Sequence, residues 1–217
     1  NGDFYVMSTG QPLGMVVSGG VLRSSSSYHS AIGFREDGTA FVGTPNLYIS
    51  VTMGEDRLSV FGGLNKIRQV RTADGGGLTL LTPDFGESTQ NISPGVDVFL
   101  RVVTTEEELG QTIPAEETGV WQELRLSDQP RIGGRVKCVV DYVSEAAGPN
   151  PIPEDGFVLT MNGKDDEGTL NMLRALQPGD EMNLDIISED TRWNEATEAL
   201  GAMYRLLDNG QVGSNLS

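Results

Sequence analysis

The sequence predicts an α+β fold that is predominantly antiparallel β, with one carboxyl-terminal helix (Trp193 to Leu207) and a short helix near Leu170. The first observation is the number of chain breakers, 28 glycines and 10 prolines in 217 residues, which divide the chain into short segments. The second is that apolar and polar residues alternate with period two in most of these segments, as in strands with one buried face. The third is that helical spacing of apolar residues is confined to two segments.

Short apolar runs separated by Gly, Asn, Asp and Ser occupy the segment from Phe4 to about Val60. Period-two alternation between turn residues is typical of antiparallel strands, so we expect strands at 15–17, 30–34, 40–43 and 47–51. Asp37-Gly38 lies between two of these runs, and Asp-Gly is a strong signal for a tight hairpin turn. The segment 30–43 is therefore predicted to be a β-hairpin.

The middle of the chain continues the β pattern. The run from Val96 to Val103 is the clearest strand, with apolar residues at every second position from Val96 to Val102. Further strands are predicted at 132–143 and 157–161. Cys138 lies in the first of these and is the only cysteine in the chain, which excludes an intrachain disulfide. We expect it to be a small buried strand residue.

Two segments carry helical spacing. Leu170, Leu173 and Leu176 predict a short helix that ends before Pro178-Gly179. The carboxyl-terminal helix is predicted by apolar residues three or four positions apart, with Asp190 or Thr191 as its cap and Asn209-Gly210 as its end; these apolar residues are Trp193, Ala196, Leu200, Tyr204 and Leu207.

The strand pattern divides the chain into three segments, 1–94, 95–187 and 188–217. The second is interpreted as an inserted β-rich subdomain between two parts of one domain. No flexible or highly charged linker separates the segments, so we expect them to pack together.

The composition excludes several partners. A net charge of -16 and a pI of about 4.3 oppose binding to nucleic acids and anionic lipids. No stretch approaches the roughly 20 apolar residues that a membrane span needs. No cofactor is expected. Carboxylates are the donors that calcium prefers, so calcium remains an alternative, although the chain has no Asp-x-Asp-x-Asp loop followed by Gly.

Three motifs, taken in order, resemble the amino-terminal portion of the phosphodiester glycosidase family, including bacterial members associated with exopolysaccharides. They are the opening Asn1-Gly2-Asp3-Phe4-Tyr5, the Gly-rich run 14–20, and the hairpin 31–40. The best-known activity of that family is the uncovering of N-acetylglucosamine-1-phosphodiesters. The resemblance implies a hydrolase of sugar-1-phosphodiester linkages on surface glycans, located outside the cell or in its envelope. Segments 1–94 and 188–217 would then belong to the glycosidase-like domain.

The resemblance also implies a set of site residues. Asp3 and Asn1 are the catalytic candidates, because the reaction needs a carboxylate near the oxocarbenium-like carbon and a polar donor for the sugar or phosphate. The substrate-binding candidates are Gly2, Phe4, Tyr5, His29 and Arg35. For Asp3 the alternative is a turn in which its side chain accepts backbone hydrogen bonds.

Lys66, Arg68 and Arg71 are further candidates for binding the phosphate. The alternative for each is an ion pair with a neighbouring carboxylate, since acidic residues outnumber basic ones by 31 to 15.

The family pattern continues with an Arg-containing strand and an Asp-Gly-Gly-Gly-Ser motif, and the sequence reaches Ser217 without them. We therefore expect a fragment of the domain, with a companion fragment that supplies the rest of the site. The alternative function is a non-catalytic, β-rich carbohydrate-binding or structural module of a cell-envelope protein.

Overall fold

The computed structural model describes residues 5–7, 10–25, 30–73, 76–145 and 147–202, and the backbone of 207–208 and 211–212. The predicted fold class is confirmed, because strands dominate and most are antiparallel. The strands in chain order are β1 (Val16–Ser18), β2 (Val21–Ser24), β3 (Ser30–Phe34), β4 (Ala40–Gly43), β5 (Leu47–Met53), β6 (Asp56–Ser59), β7 (Gly63–Leu64), β8 (Thr79–Leu81), β9 (Gly95–Val102), β10 (Thr112–Ile113), β11 (Leu124–Ser127), β12 (Gly134–Ser144), β13 (Gly156–Asn162), β14 (Glu181–Ser188), β15 (Glu198–Ala202), β16 (Leu207–Asp208) and β17 (Gln211–Val212).

Two large sheets form the body of the molecule. The first has five strands in the order β2-β1-β15-β3-β4. The second has ten, with β6-β5-β14-β12-β9-β13-β8-β7 in line and β10 and β11 attached beside β12. All pairs are antiparallel except β11 with β12 and β7 with β8. One apolar cluster includes buried residues of both sheets, from Val17 and Leu22 to Val98 and Ile186.

The predicted hairpin at 30–43 is confirmed, since β3 pairs with β4 in antiparallel register. Gly38 has a φ of 82° at the turn. The Asp37 carboxylate accepts hydrogen bonds from the backbone N–H and the hydroxyl of Thr39. These contacts lower the pKa of Asp37, because they favour its charged form.

The strand predicted at 96–103 is β9, and it is buried on both faces as far as Leu100. The alternating apolar residues contribute to the main core. Phe99 points the other way and belongs to a second cluster with Leu81, Phe85, Ile152 and Val158. Asp97, on the same side as Phe99, is also buried.

The short helix predicted near Leu170 is confirmed as α2 (Glu167–Ala175), with Leu170 and Leu173 buried. The Asp166 carboxylate caps it by accepting from the backbone N–H of Thr169 at 2.7 Å. The described residues contain one other α-helix, α1 (Ala115–Thr118), and 3₁₀ turns at Pro83–Phe85 and Thr191–Glu195.

The helix predicted from Trp193 to Leu207 is wrong over the residues described there. A 3₁₀ turn ends at Glu195, and β15 occupies the centre of the five-stranded sheet, between β1 and β3. Ala199 and Gly201 are buried while Leu200 is exposed, which is the period of a strand. Hydrogen bonding to two distant strands overrides the local helical spacing.

Strands of 1–94 and of 95–187 share the ten-stranded sheet, where β5 pairs with β14 and β8 pairs with β13. The division into three segments stays a prediction.

Candidate functional site

Most of the motif-derived site residues lie outside the described part of the chain; these are Asn1, Gly2, Asp3, Phe4 and His29. Tyr5 is described, and its backbone pairs with Pro12 in an isolated antiparallel bridge. Tyr5 is 55% exposed. The one residue of the opening motif that the structure describes therefore lies beside Pro12.

Lys66 binds the loop that contains Pro12, the residue with which Tyr5 pairs. Its ammonium donates to the carbonyl oxygens of Pro12 (2.7 Å) and Leu13 (3.1 Å) and to the hydroxyl of Ser24 (2.8 Å). An ammonium has three donors, and these three acceptors can use them all. Lys66 thus fixes the loop before β1 to the end of β2, and it places a positive charge beside the Tyr5–Pro12 bridge.

The position of Lys66 depends on Asn65, which is buried in a left-handed conformation (φ 55°). The Asn65 amide donates to the Arg23 carbonyl and the Thr82 hydroxyl, and its oxygen accepts from the Thr82 N–H, each at 2.8 Å. Arg23 itself pairs with Asp84 at 2.8 Å.

The residues that Lys66 joins at this end of the sheet form one group. We call Tyr5, Pro12, Ser24 and Lys66 the Lys66 cluster.

Arg35 lies at the opposite end of the five-stranded sheet. β1 and β3 run in the same direction, since both are antiparallel to β15. The Lys66 cluster adjoins the start of β1, whereas Arg35 follows the end of β3. The Arg35 guanidinium pairs with Glu195 at 2.8 Å and lies 4.9 Å from the centre of the Phe41 ring. The structure therefore does not bring Arg35 together with Tyr5.

Arg68 and Arg71, the other two predicted phosphate partners, are engaged elsewhere. Arg68 is buried with Asp97, and the shortest distance between their charged atoms is 3.4 Å. Asp97 also accepts from Thr160 (2.5 Å), Asn91 and Asn150. Arg71 lies over the Phe61 ring at 3.5 Å. The Arg68 charge is satisfied inside the fold and cannot meet a ligand without unfolding this network.

Cys138 is buried in β12, and burial raises the pKa of its thiol to about 12. A nucleophilic cysteine needs the opposite shift, so Cys138 is a structural residue, as the sequence predicts.

A polar cleft that sequence reasoning missed lies at the Arg35 end of the sheet. Its volume is about 680 Å³, within the range of sites for small ligands. It runs between the segments 122–134 and 191–197, and its polar lining includes Gln122, Arg125, Arg131, Asn194 and Glu195. No motif in the sequence links these segments, which are about 60 residues apart and meet in the fold through contacts such as the hydrogen bond from Asn194 to Gln122.

A second missed feature is an exposed pair of aromatic residues, Tyr48 on β5 and Trp121 after α1. Their ring centres are 5.1 Å apart and their planes meet at 87°. Trp121 is 61% exposed and Tyr48 is 47% exposed. We call this pair the aromatic corner.

Glu189 borders the aromatic corner. Its carboxylate accepts from the Tyr48 hydroxyl at 2.7 Å and from the Asn46 amide at 2.9 Å. The hydrogen bond from Tyr48, followed by that from Asn46, lowers the pKa of Glu189. The same hydrogen bond raises the pKa of Tyr48, so the ionised carboxylate and the neutral phenol are the favoured forms.

Among the described residues, no group of three or more His, Cys, Asp or Glu side chains is arranged to hold a metal ion. In the same part of the chain, no helix has the length and apolar character needed to cross a bilayer.

Comparison with known proteins identifies similar folds. No protein-family model matches the chain, and no curated protein shows a significant match. A solved structure of a hypothetical protein from Synechocystis has a TM-score of 0.61 and 22% identity, over 98% of this chain and 32% of that protein. The "Putative exported protein" of Burkholderia pseudomallei K96243 has a TM-score of 0.57 and 16% identity, over 95% of this chain and 41% of that protein.

At these identities the likeness shows the fold alone. This chain spans about a third and about two fifths of the lengths of the two proteins.

Proposed function

We propose that this chain is part of an extracytoplasmic hydrolase that cleaves sugar-1-phosphodiesters of surface glycans. The observation that carries the proposal is the set of hydrogen bonds from Lys66 to the loop at Pro12 and Leu13. The Lys66 ammonium binds the loop that pairs with Tyr5, two residues from Asp3. The structure thus provides a fixed cation beside the Tyr5–Pro12 bridge, and Tyr5 follows in sequence the residues to which the family resemblance assigns the carboxylate and the amide.

The chemistry of the reaction fits this combination. Water adds to the anomeric carbon, the bond from that carbon to the phosphate oxygen breaks, and a phosphomonoester leaves. A carboxylate is needed near the carbon, and positive charge is needed near the departing phosphate. In this proposal Asp3 is the carboxylate and Asn1 donates to a substrate oxygen. Lys66 is a positioning residue that also supplies positive potential.

Two further points support the proposal. The order of the motifs along the chain follows the family pattern from Asn1 to the hairpin at 31–40. One protein of similar fold is described as exported, which agrees with a substrate outside the cytoplasm.

The test uses the full-length protein and the methyl phosphodiester of α-N-acetylglucosamine-1-phosphate. Phosphorus NMR follows the release of methyl phosphate. We expect turnover by the wild type, loss of turnover in Asp3→Asn without a change in melting temperature, and reduced turnover in Lys66→Gln. Arg174→Gln, on the exposed face of α2, is the control for removal of a positive charge.

No turnover by the full-length wild type, or wild-type rates in Asp3→Asn, would overturn the proposal. A fall in the melting temperature of Asp3→Asn together with its activity would instead assign Asp3 to the turn.

A further inference from the structure

We propose that the aromatic corner is a binding site for a neutral oligosaccharide, separate from the amino-terminal site. The first argument is exposure. The structure describes both tryptophans of the chain, and Trp193 is 1% exposed whereas Trp121 is 61% exposed. Leaving a large aromatic surface in water forgoes the stabilisation that burial provides. Two such rings side by side therefore indicate a ligand.

The second argument is the match between polar groups and sugar hydroxyls. A pyranose presents an apolar face of C–H groups and a rim of hydroxyls, which both donate and accept. The Glu189 carboxylate accepts only, and its two hydrogen bonds leave about two of its four lone-pair positions for a ligand. The Trp121 indole N–H has no hydrogen-bond partner within the described ranges and supplies a donor.

The third argument concerns rigidity. The backbone carbonyl of Thr118 accepts from the guanidinium groups of Arg57 (2.9 Å) and Arg135 (2.7 Å). Both arginines also bind the buried carboxylate of Asp185. The loop that carries Trp121 is thus held to the ten-stranded sheet three residues before the ring. A pre-formed site loses less conformational entropy when it binds.

The Thr118 side chain adds to this rigidity. Its hydroxyl accepts from the backbone N–H of Val120 at 3.2 Å and lies 3.1 Å from the carbonyl oxygen of Gln122. The turn on both sides of Trp121 is therefore internally bonded.

Charge and size select a neutral sugar over other ligands. Hydrogen bonds from Tyr48 and Asn46 lower the pKa of Glu189, so its carboxylate is ionised at neutral pH and repels uronates, phosphates and nucleotides at the corner. Two rings and their polar neighbours cover much less than the roughly 800 Å² per partner of a stable protein interface. Gln122, the next residue after Trp121, lines the polar cleft, so a chain of several sugars has further polar groups to contact.

The experiment is isothermal titration of the protein with a panel of oligosaccharides. The panel holds neutral tetrasaccharides of glucose, mannose, galactose and N-acetylglucosamine, together with tetrauronates and N-acetylglucosamine-1-phosphate. We expect at least one neutral member to bind. Trp121→Ala should weaken that binding by about tenfold or more, whereas Trp121→Phe should retain part of the affinity. Glu189→Gln should also weaken it.

Tyr142→Ala is the control, because Tyr142 is 45% exposed and lies near the end of β12 opposite to Gly134, whose partner Ile186 pairs beside Tyr48; it should bind as the wild type does. Asp3→Asn should also bind normally, which separates this site from the proposed catalysis. The inference is overturned if no neutral tetrasaccharide binds, if the uronates bind more tightly, if Trp121→Ala abolishes binding of the sugar phosphate, or if Trp121→Ala binds the neutral tetrasaccharides as the wild type does. Self-association that Trp121→Ala abolishes would assign the corner to a second copy of the chain.

Discussion

Arg135 binds Asp185 through two hydrogen bonds, from Nε to Oδ1 at 2.6 Å and from Nη2 to Oδ2 at 2.8 Å, on neighbouring strands of the ten-stranded sheet. Both side chains are buried, and Arg57 contributes a third hydrogen bond to the same carboxylate. One carboxylate therefore balances two cations, and the two arginines in turn hold the carbonyl of Thr118.

Asp185→Asn is expected to destabilise the protein by roughly 3–5 kcal/mol, because it leaves the buried charge of Arg135 and the half-buried charge of Arg57 without a counter-ion. Urea unfolding measures the change in free energy. Glu167→Gln, which disrupts an exposed ion pair with Arg174, is the control and should have little effect. Equal effects of the two substitutions would contradict the role given to Asp185.

The substitutions Asn65→Gly and Asn65→Ala separate the contributions of hydrogen bonding and of backbone conformation to the free energy of unfolding. Both lose the buried hydrogen bonds to Thr82 and Arg23, but only Ala adds the strain of a left-handed conformation. That strain is about 1–2 kcal/mol per residue. We therefore expect Asn65→Ala to be less stable than Asn65→Gly by about 1 kcal/mol, measured by urea unfolding. Gln90→Gly, at an exposed position with a φ of 54°, should not be destabilising.

The cap of α2 predicts a pH dependence. Hydrogen bonds from the backbone N–H and the hydroxyl of Thr169 lower the pKa of Asp166 below its ordinary value of 3.8. Because the folded pKa lies below the unfolded one, this stabilisation is present above about pH 4 and is lost as the pH falls through the folded pKa.

The difference in melting temperature between the wild type and Asp166→Asn should therefore shrink between pH 5 and pH 2. Asp155→Asn, an exposed residue with no hydrogen bond to the described residues, is the control. A difference that is independent of pH would show that the charge of Asp166 has no part in the cap.

Cys138 should be inert in the native protein. With a pKa of about 12 instead of 9.0, its thiolate population at pH 8 falls about a thousandfold, and burial also blocks access. We expect no reaction with Ellman's reagent in buffer and one thiol per chain in 6 M guanidinium. Rapid reaction of the native protein would contradict the burial of β12.

Gly201→Ala should destabilise β15. An added Cβ would lie 2.8 Å from the Gly14 Cα and from the Met15 nitrogen, and these backbone atoms cannot move independently. Overpacking of this kind costs about 1–3 kcal/mol, which thermal unfolding can measure. Gly148→Ala, whose added Cβ would meet nothing within 4 Å, is the neutral control.

The parts of the fold that depend on local pattern could be predicted from the sequence. The spacing of Leu170 and Leu173 predicts α2, and Asp37-Gly38 predicts the β3–β4 turn. The same reasoning fails at Trp193 to Leu207, where Ala and Leu at helical spacing occupy a strand. The central position of β15 is set by partners more than 160 residues away in sequence. Gly201, in the middle of the supposed helix, is the one local sign of this.

The candidate site could be predicted only in part. The sequence predicts Lys66, Arg35 and Arg68 as phosphate partners, and of these only Lys66 lies beside the Tyr5–Pro12 bridge. From the sequence, the role of each basic residue is predicted from its neighbours in the chain. Which basic residues lie at the same end of the sheet depends instead on the order of the strands, which the local sequence does not show. The aromatic corner joins residues 48 and 121, which no motif connects.

The central position of β15 has a consequence for how the molecule is made. Until residues 198–202 have been synthesised, β1–β2 and β3–β4 can form only two separate hairpins, and isolated hairpins are marginally stable in water. Pairing β15 with β1 and β3 closes loops of more than 160 residues, which is slow. Until then, the edges of β1 and β3 that β15 will cover expose unpaired backbone groups, which can pair with other chains. Strands β1 to β4, although they precede β15 in the chain, are therefore completed only after it has been made, and a nascent chain stalled before Glu198 is prone to aggregate.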